Sequence, residues 1–162
     1  MEPEHDVKDY GDAEVTQEPA AEREPRTGGG YWLLGERVQW IAGTVLTLSA
    51  FMGWYSGSGD GITIAVTGWN VGILGKLVFF VGLAVLALFW LRRAGIEPPP
   101  SVPESLIVVA LGSLATVFVL IRLISIPDTF IPADGRGIGI WIALLASLGV
   151  IAAGLLQAAD EL

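Results

Sequence analysis

Apolar and polar positions separate into blocks along this chain rather than mixing. Four apolar runs stand out: Val38 to Tyr55, Val71 to Leu91, Val102 to Ile126 and Gly137 to Ala158. A helix needs about 20 mostly apolar residues to cross a bilayer core. Each run is near that length, and its few charges lie close to its ends. The pattern predicts an all-α membrane fold, an antiparallel four-helix transmembrane bundle with spans about 38–55, 71–91, 102–126 and 137–158. The transmembrane domain covers residues 31–162, preceded by a separate segment over residues 1–30.

The connections carry their own patterns. Ser56-Gly57-Ser58-Gly59-Asp60-Gly61 reads as a flexible turn. Ile62-Thr63-Ile64-Ala65-Val66-Thr67 alternates β-branched apolar with small or polar residues, the period-two signal of a strand. Gly68 ends it, and Trp69-Asn70 leads into the second span. A lone strand leaves backbone groups unpaired, and Thr129-Phe130-Ile131 in the last loop is the expected partner. Glu97-Pro98-Pro99-Pro100 is a stiff spacer that cannot continue a helix. Ser101-Val102-Pro103-Glu104 has the form of a capping box for the third span, which must stop before Pro127. The short last loop, Pro127 to Arg136, makes the third and fourth spans antiparallel neighbours. Tyr31 and Trp32, then Trp40 and Trp54, are expected in the headgroup belt at the ends of the first span.

Composition fits this picture. The chain has 162 residues, is 52% hydrophobic and has a mean hydropathy of +0.61. A water-soluble domain this small would expose too much apolar surface to remain monomeric. The net charge is −8, and residues 1–30 hold over half of the acidic groups, from Glu2 to Glu24. That segment is rich in Glu, Pro, Ala and Asp and ends in Gly28-Gly29-Gly30. It reads as a disordered acidic tail, either a solvated segment or a docking segment for a cytosolic partner. An acidic chain on a membrane does not favour nucleic acid or anionic lipid. There is no cysteine, which excludes disulfides, thiolate metal sites and thiol catalysis. Acidic residues follow Met1 where a secretory signal would carry a basic region, so the first span is expected to direct insertion.

Basic residues set orientation. With an even number of spans both termini share one side, with the loop between spans two and three. That side receives Lys8, Arg23, Arg26, Arg37, Arg92 and Arg93, against Lys76, Arg122 and Arg136 on the other. Both termini are therefore expected in the cytoplasm of a multi-pass cell-membrane protein.

Candidate chemistry is sparse. Arg122 lies just inside the third span, where an ionisable group raises functional suspicion. Near a helix end, however, its long side chain can snorkel to the interface. Lys76 holds a similar position in the second span. Asp128 and Asp134, with Asp60, fall on the same predicted side and are the expected ion-pair partners. If Lys76 and Arg122 converge, they form a small cationic patch for an anion or a lipid headgroup. The three aspartates show no EF-hand spacing, which argues against a cation site.

Small residues recur at four-residue spacing: Gly43 and Thr47, Gly112 and Thr116, then Gly139, Ala143 and Ser147. Such faces let helices approach closely in lipid, either within one bundle or against a partner. The candidate partners are thus the bilayer, a second copy of the chain or another membrane protein. Gly135-Arg136-Gly137-Ile138-Gly139 follows no predicted strand and lacks the phosphate-loop lysine. His5, the single histidine, lies in the tail, and no Asp or Glu sits in mid-span. Acid–base, metal-dependent and proton-relay chemistry therefore lack their parts, and no cofactor is implied. The expected role is non-enzymatic: a structural or partner-binding membrane component. The alternative is a small channel, transport or lipid-binding component that uses the Lys76 and Arg122 side.

Four features carry a resemblance over residues 31 to 158. They are Phe51-Met52-Gly53-Trp54-Tyr55, the strand closing on Gly68-Trp69, Arg122-Leu123 before a Pro-Asp loop, and the run Gly139 to Ala146. In these the chain resembles small four-span membrane proteins of high-GC actinobacteria that carry no assigned activity. The likeness implies an architecture and no mechanism. The strand between the first two spans is also similar to the claudin-like arrangement, without that family's cysteine pair.

Overall fold

A computed structural model describes residues 28–59, 62–96, 102–125 and 135–161. It consists of helix α1 (Gly28–Ser49), strands β1 (Gly53–Gly59) and β2 (Ile62–Thr67), a 3-10 turn (Gly68–Val71), helices α2 (Ile73–Arg93) and α3 (Glu104–Ile124), strand β3 (Gly135–Arg136) and helix α4 (Ile138–Glu161). The tail before residue 28, Asp60, the Pro98–Pro100 spacer and the loop bearing Asp128, Thr129-Phe130-Ile131 and Asp134 lie outside the described residues.

Among the described residues three helices are long and apolar enough to cross a membrane: Ile73–Arg93, Glu104–Ile124 and Ile138–Asp160. Each is rich in Leu, Val, Ile and Ala, and no proline interrupts it. The second span therefore forms two residues later than expected, and the third and fourth form within a few residues of their predicted bounds. Helix α1 differs from the expected first span. It starts at Gly28, so the three glycines assigned to the tail form its first residues. It ends at Ser49, and Gly53-Trp54-Tyr55 belong to β1 rather than to a span reaching Tyr55. Gly35, Glu36, Arg37 and Gln39 lie within the helix and lower its hydropathy.

Helix ends explain several boundaries. After Arg93, the amide of Ile96 donates to the Leu91 carbonyl at 3.0 Å and that of Gly95 to Arg92 at 3.0 Å. With Gly95 at φ +76, this is a Schellman motif, which needs a left-handed residue at that position. Ser101 of the expected capping box lies outside the described residues. Pro103 is the N-cap and makes no side-chain cap, while the Glu104 carboxylate turns to Arg92.

Helix α1 packs against α2 and α4, and α3 packs against the same two helices. The C-terminal ends of α1 and α3 meet the N-terminal ends of α2 and α4, as contacts of Gly53 with Gly139 and of Arg122 with Gly72 demonstrate. Leu46, Val78, Val85, Val108, Val119 and Val150 are fully buried between the helices. The outward faces are also apolar: Leu48, Phe80, Ile124, Leu145 and Leu155 are all exposed.

The sheet has the order β2-β1-β3. Strand β2 forms where the alternation predicted it, but its partner is β1, antiparallel, with Tyr55 opposite Val66 and Gly57 opposite Ile64. The Ser56–Gly59 stretch expected as a turn is thus a strand. Glycine and serine disfavour strands locally, but cross-strand pairing with an adjacent β-branched segment overrides that preference. Strand β3 pairs with the other edge of β1, with Tyr55 opposite Arg136.

Candidate functional site

The sheet end is organised by the termination of α1. The last carbonyls of a helix need donors. The Trp54 indole donates to the Ser49 carbonyl at 2.8 Å, and the amides of Met52 and Trp69 donate to Ser49 and Ala50. Trp54 is fully buried, with Gly68 and Gly139 against its ring. This corrects its expected place in the headgroup belt. A helix that stops at Ser49 brings Trp54 back over its own end, where the indole N–H finds an acceptor. Gly68 is required there, because a Cβ would stand 2.5 Å from the indole.

Arg122 joins this end to α3. Its Nη2 donates to the Val71 carbonyl at 2.9 Å, and its own carbonyl accepts the Tyr55 hydroxyl. Gly72, at φ +128, leaves room for the guanidinium: a Cβ would lie 2.6 Å from Nη2. Arg136 Nε donates to the Leu123 carbonyl at 2.8 Å. Burial raises the Tyr55 phenol above its ordinary value of 10.0, and Arg122 and Arg136 pull it partly back. Arg122 Nε is buried with no partner among the described residues. Lys76 goes elsewhere, its Nζ lying 5.6 Å from the Trp69 ring centre. The two cations thus contact different residues of the 3-10 turn, and no contact between them appears among the described residues. Rings of Phe51, Trp69, Phe79 and Phe80 pack in sequence alongside Lys76.

The small residues line internal contacts. Gly43 on α1 faces Val85 and Leu86 of α2, and Gly82 of α2 faces Thr47 so closely that a Cβ would be 2.9 Å from the Thr47 amide. Gly112 faces Val150 and Ile151 of α4. The Thr116 hydroxyl reaches Ser147 Oγ at 2.9 Å, and Ser147 donates to Leu144. Gly139 meets Met52, Gly53 and Trp54, and Ala143 and Ser147 are fully buried.

At the opposite end a polar chain ties all four helices together. Gln157 Nε2 of α4 donates to Gln39 Oε1 of α1 at 2.7 Å, and Gln39 Nε2 donates to the Val85 carbonyl of α2 at 3.2 Å. Both glutamines are fully buried. Arg92 of α2 reaches Gln157 Oε1 at 3.5 Å and binds Glu104 of α3 through Nε at 2.9 Å and Nη2 at 2.8 Å. Its guanidinium lies 4.4 Å from the Trp32 ring centre. Sequence reasoning missed this network. Gln39 and Gln157 were the available signal, as isolated amides on otherwise apolar helix faces.

Beside this network, α1 and α2 part to form a cleft of about 540 Å³ lined by Leu33, Glu36, Arg37, Trp40, Ile41, Phe89, Trp90 and Arg93. No group of three or more His, Cys, Asp or Glu suited to a metal occurs among the described residues. Comparison with protein-family models, with curated proteins and with solved structures found no match.

Proposed function

We propose that the chain is a four-span integral membrane protein with a non-enzymatic role, a structural or partner-binding component of the membrane. Helix α1, 22 residues long, is the fourth span. About 20 residues suffice to cross the hydrocarbon core, and packing against α2 and α4 buries Gln39 and Ser49 of α1. The observation that carries this reading is the distribution of polarity. Large apolar side chains point outward on all four helices, while Gln39, Gln157, Thr116 and Ser147 bond between helices. In lipid, polar groups facing inward hold helices together and apolar surface facing outward carries no penalty. Fully buried Leu46, Val78, Val85, Val108 and Val119 fill the space between the two polar ends, which favours a packing role over conduction.

Both termini face the cytoplasm, with the sheet and the Arg122 end outward. The absence of native cysteine makes this directly testable. Single cysteines at Ala94 and at Ser58 or Ala133 are labelled in intact cells with a membrane-impermeant reagent. Ser58→Cys and Ala133→Cys should react from outside and Ala94→Cys only after lysis. The reverse pattern refutes the orientation. Proteoliposomes that dissipate an ion gradient through the purified chain would refute the non-conducting role. Solubility as a monodisperse species without detergent would refute the membrane reading itself.

A further inference from the structure

The cleft between α1 and α2 pairs two cations with an apolar floor. We infer that it is a binding site for one anionic phospholipid of the leaflet facing the Arg92–Arg93 end. The inference rests on the membrane reading above. Leu33, Glu36, Arg37, Trp40 and Ile41 recur at helical spacing and present one face of α1, which faces Phe89, Trp90 and Arg93 of α2. Along the two helices Arg37 and Arg93 lie about one turn nearer the Gly28 end of α1 and the C-terminal end of α2 than Trp40, Ile41 and Trp90, which lie toward mid-span. That is the polarity of a phospholipid, with its phosphate at interface level and its acyl chain beside the helices. The volume falls within the roughly 300–1,000 Å³ of small-molecule sites.

Charge decides which lipid. Arg92, the neighbouring cation, is neutralised by Glu104 at 2.8 Å. Arg37 is exposed and makes no ion pair among the described residues. Arg93 is only loosely held: Nε lies 3.7 Å from Glu36, and its side chain remains 64% exposed. It rests over Phe89 at 5.4 Å, and among the described residues its ion-pair partner is the distant Glu36 alone, which suits the guanidinium to a phosphate. Two guanidinia against one carboxylate give the cleft a net positive charge. Soluble phosphate would use the two arginines alone, whereas the exposed Trp40, Ile41 and Trp90 give an acyl chain a surface to cover.

The purified full chain in phosphatidylcholine vesicles tests this by tryptophan quenching with brominated lipids. Brominated phosphatidylglycerol should bind about five- to thirtyfold more strongly than brominated phosphatidylcholine, the factor expected from one or two basic groups near a headgroup. Arg37→Gln with Arg93→Gln should bring the ratio close to one. The double Arg→Lys variant should keep most of the preference and so guards against a folding defect in the glutamine pair. Lys76→Gln at the far end should leave the ratio unchanged. Glycerol 3-phosphate should not displace the lipid; displacement would assign the site to free phosphate and overturn the proposal. Equal binding of the two lipids by the intact chain, or a preference that survives Arg37→Gln with Arg93→Gln, also overturns it. Flotation separates the two readings. A chain that floats with vesicles and shows no preference sinks only the lipid site, while a chain that does not float sinks the membrane reading.

Discussion

Replacing Gln157 with leucine isolates the energy of the buried polar chain. Gln157 is fully buried and donates at 2.7 Å to Gln39, itself fully buried. In Gln157→Leu the volume is nearly kept, but Gln39 Oε1 loses its partner. A buried polar group left unsatisfied costs about 1–3 kcal/mol. Interhelical hydrogen bonds in membranes contribute only ~0.6 kcal/mol on average and ~1.7 at most. The single variant should therefore be about 1–2 kcal/mol less stable. Arg92 changes little, because its bond to Gln157 is long at 3.5 Å and Glu104 retains it at 2.8 Å. In the double variant Gln39→Leu with Gln157→Leu, no amide is orphaned. The Val85 carbonyl lies in mid-helix, where the next turn supplies its donor. The double variant should then lose less than the sum of the two single losses. The assay is a titration of the purified protein with denaturing detergent, followed by helical circular dichroism, for all four forms of the cycle. Additive losses, within about 0.5 kcal/mol, would refute the coupling.

Three further outcomes are expected. Gly82→Ala should cost about 1–3 kcal/mol in the same titration, since its Cβ would sit 2.5 Å from Thr47 Oγ1 and force α1 and α2 apart. Gly72→Ala should lower the melting temperature, because the position combines φ +128 with a Cβ 2.6 Å from Arg122 Nη2; Gly30→Ala, with open space around it, is the control. Alkaline melts should reveal Tyr55. Its folded pKa lies above the ordinary 10.0, so its contribution is fully present below that pH and is lost as pH rises through the raised value. Tyr55→Phe should flatten this part of the pH profile, and an unchanged slope would refute the assignment.

Much of the architecture was legible in the residue pattern because lipid imposes a length and a composition on any spanning helix. Helices α2, α3 and α4 could be read for that reason, as could β2 from its period of two. The end of α1 could not. Phe51 to Tyr55 is as apolar as a span, and only the pairing of β1 with β2 and β3 shows where the helix stops. Trp54 was misassigned with it, since an aromatic residue near a helix end fits a headgroup belt and a buried cap equally well. The small residues were recognisable as packing positions, but which helix each one faces was not.

The residue order by itself determined where the three helices long and apolar enough to cross a membrane lie, and that a strand of period two stands between the first two apolar runs. The first follows from summed transfer energies, which depend on what residues are present and only weakly on what they touch. Tertiary structure alone decided that Gln39 meets Gln157, that Arg122 serves the Val71 carbonyl, and that Arg37 and Arg93 share a cleft. Those pairings join residues far apart in the chain and depend on the rotation of each helix about its axis. Close approach at Gly82, Gly112 and Gly139 sets that rotation.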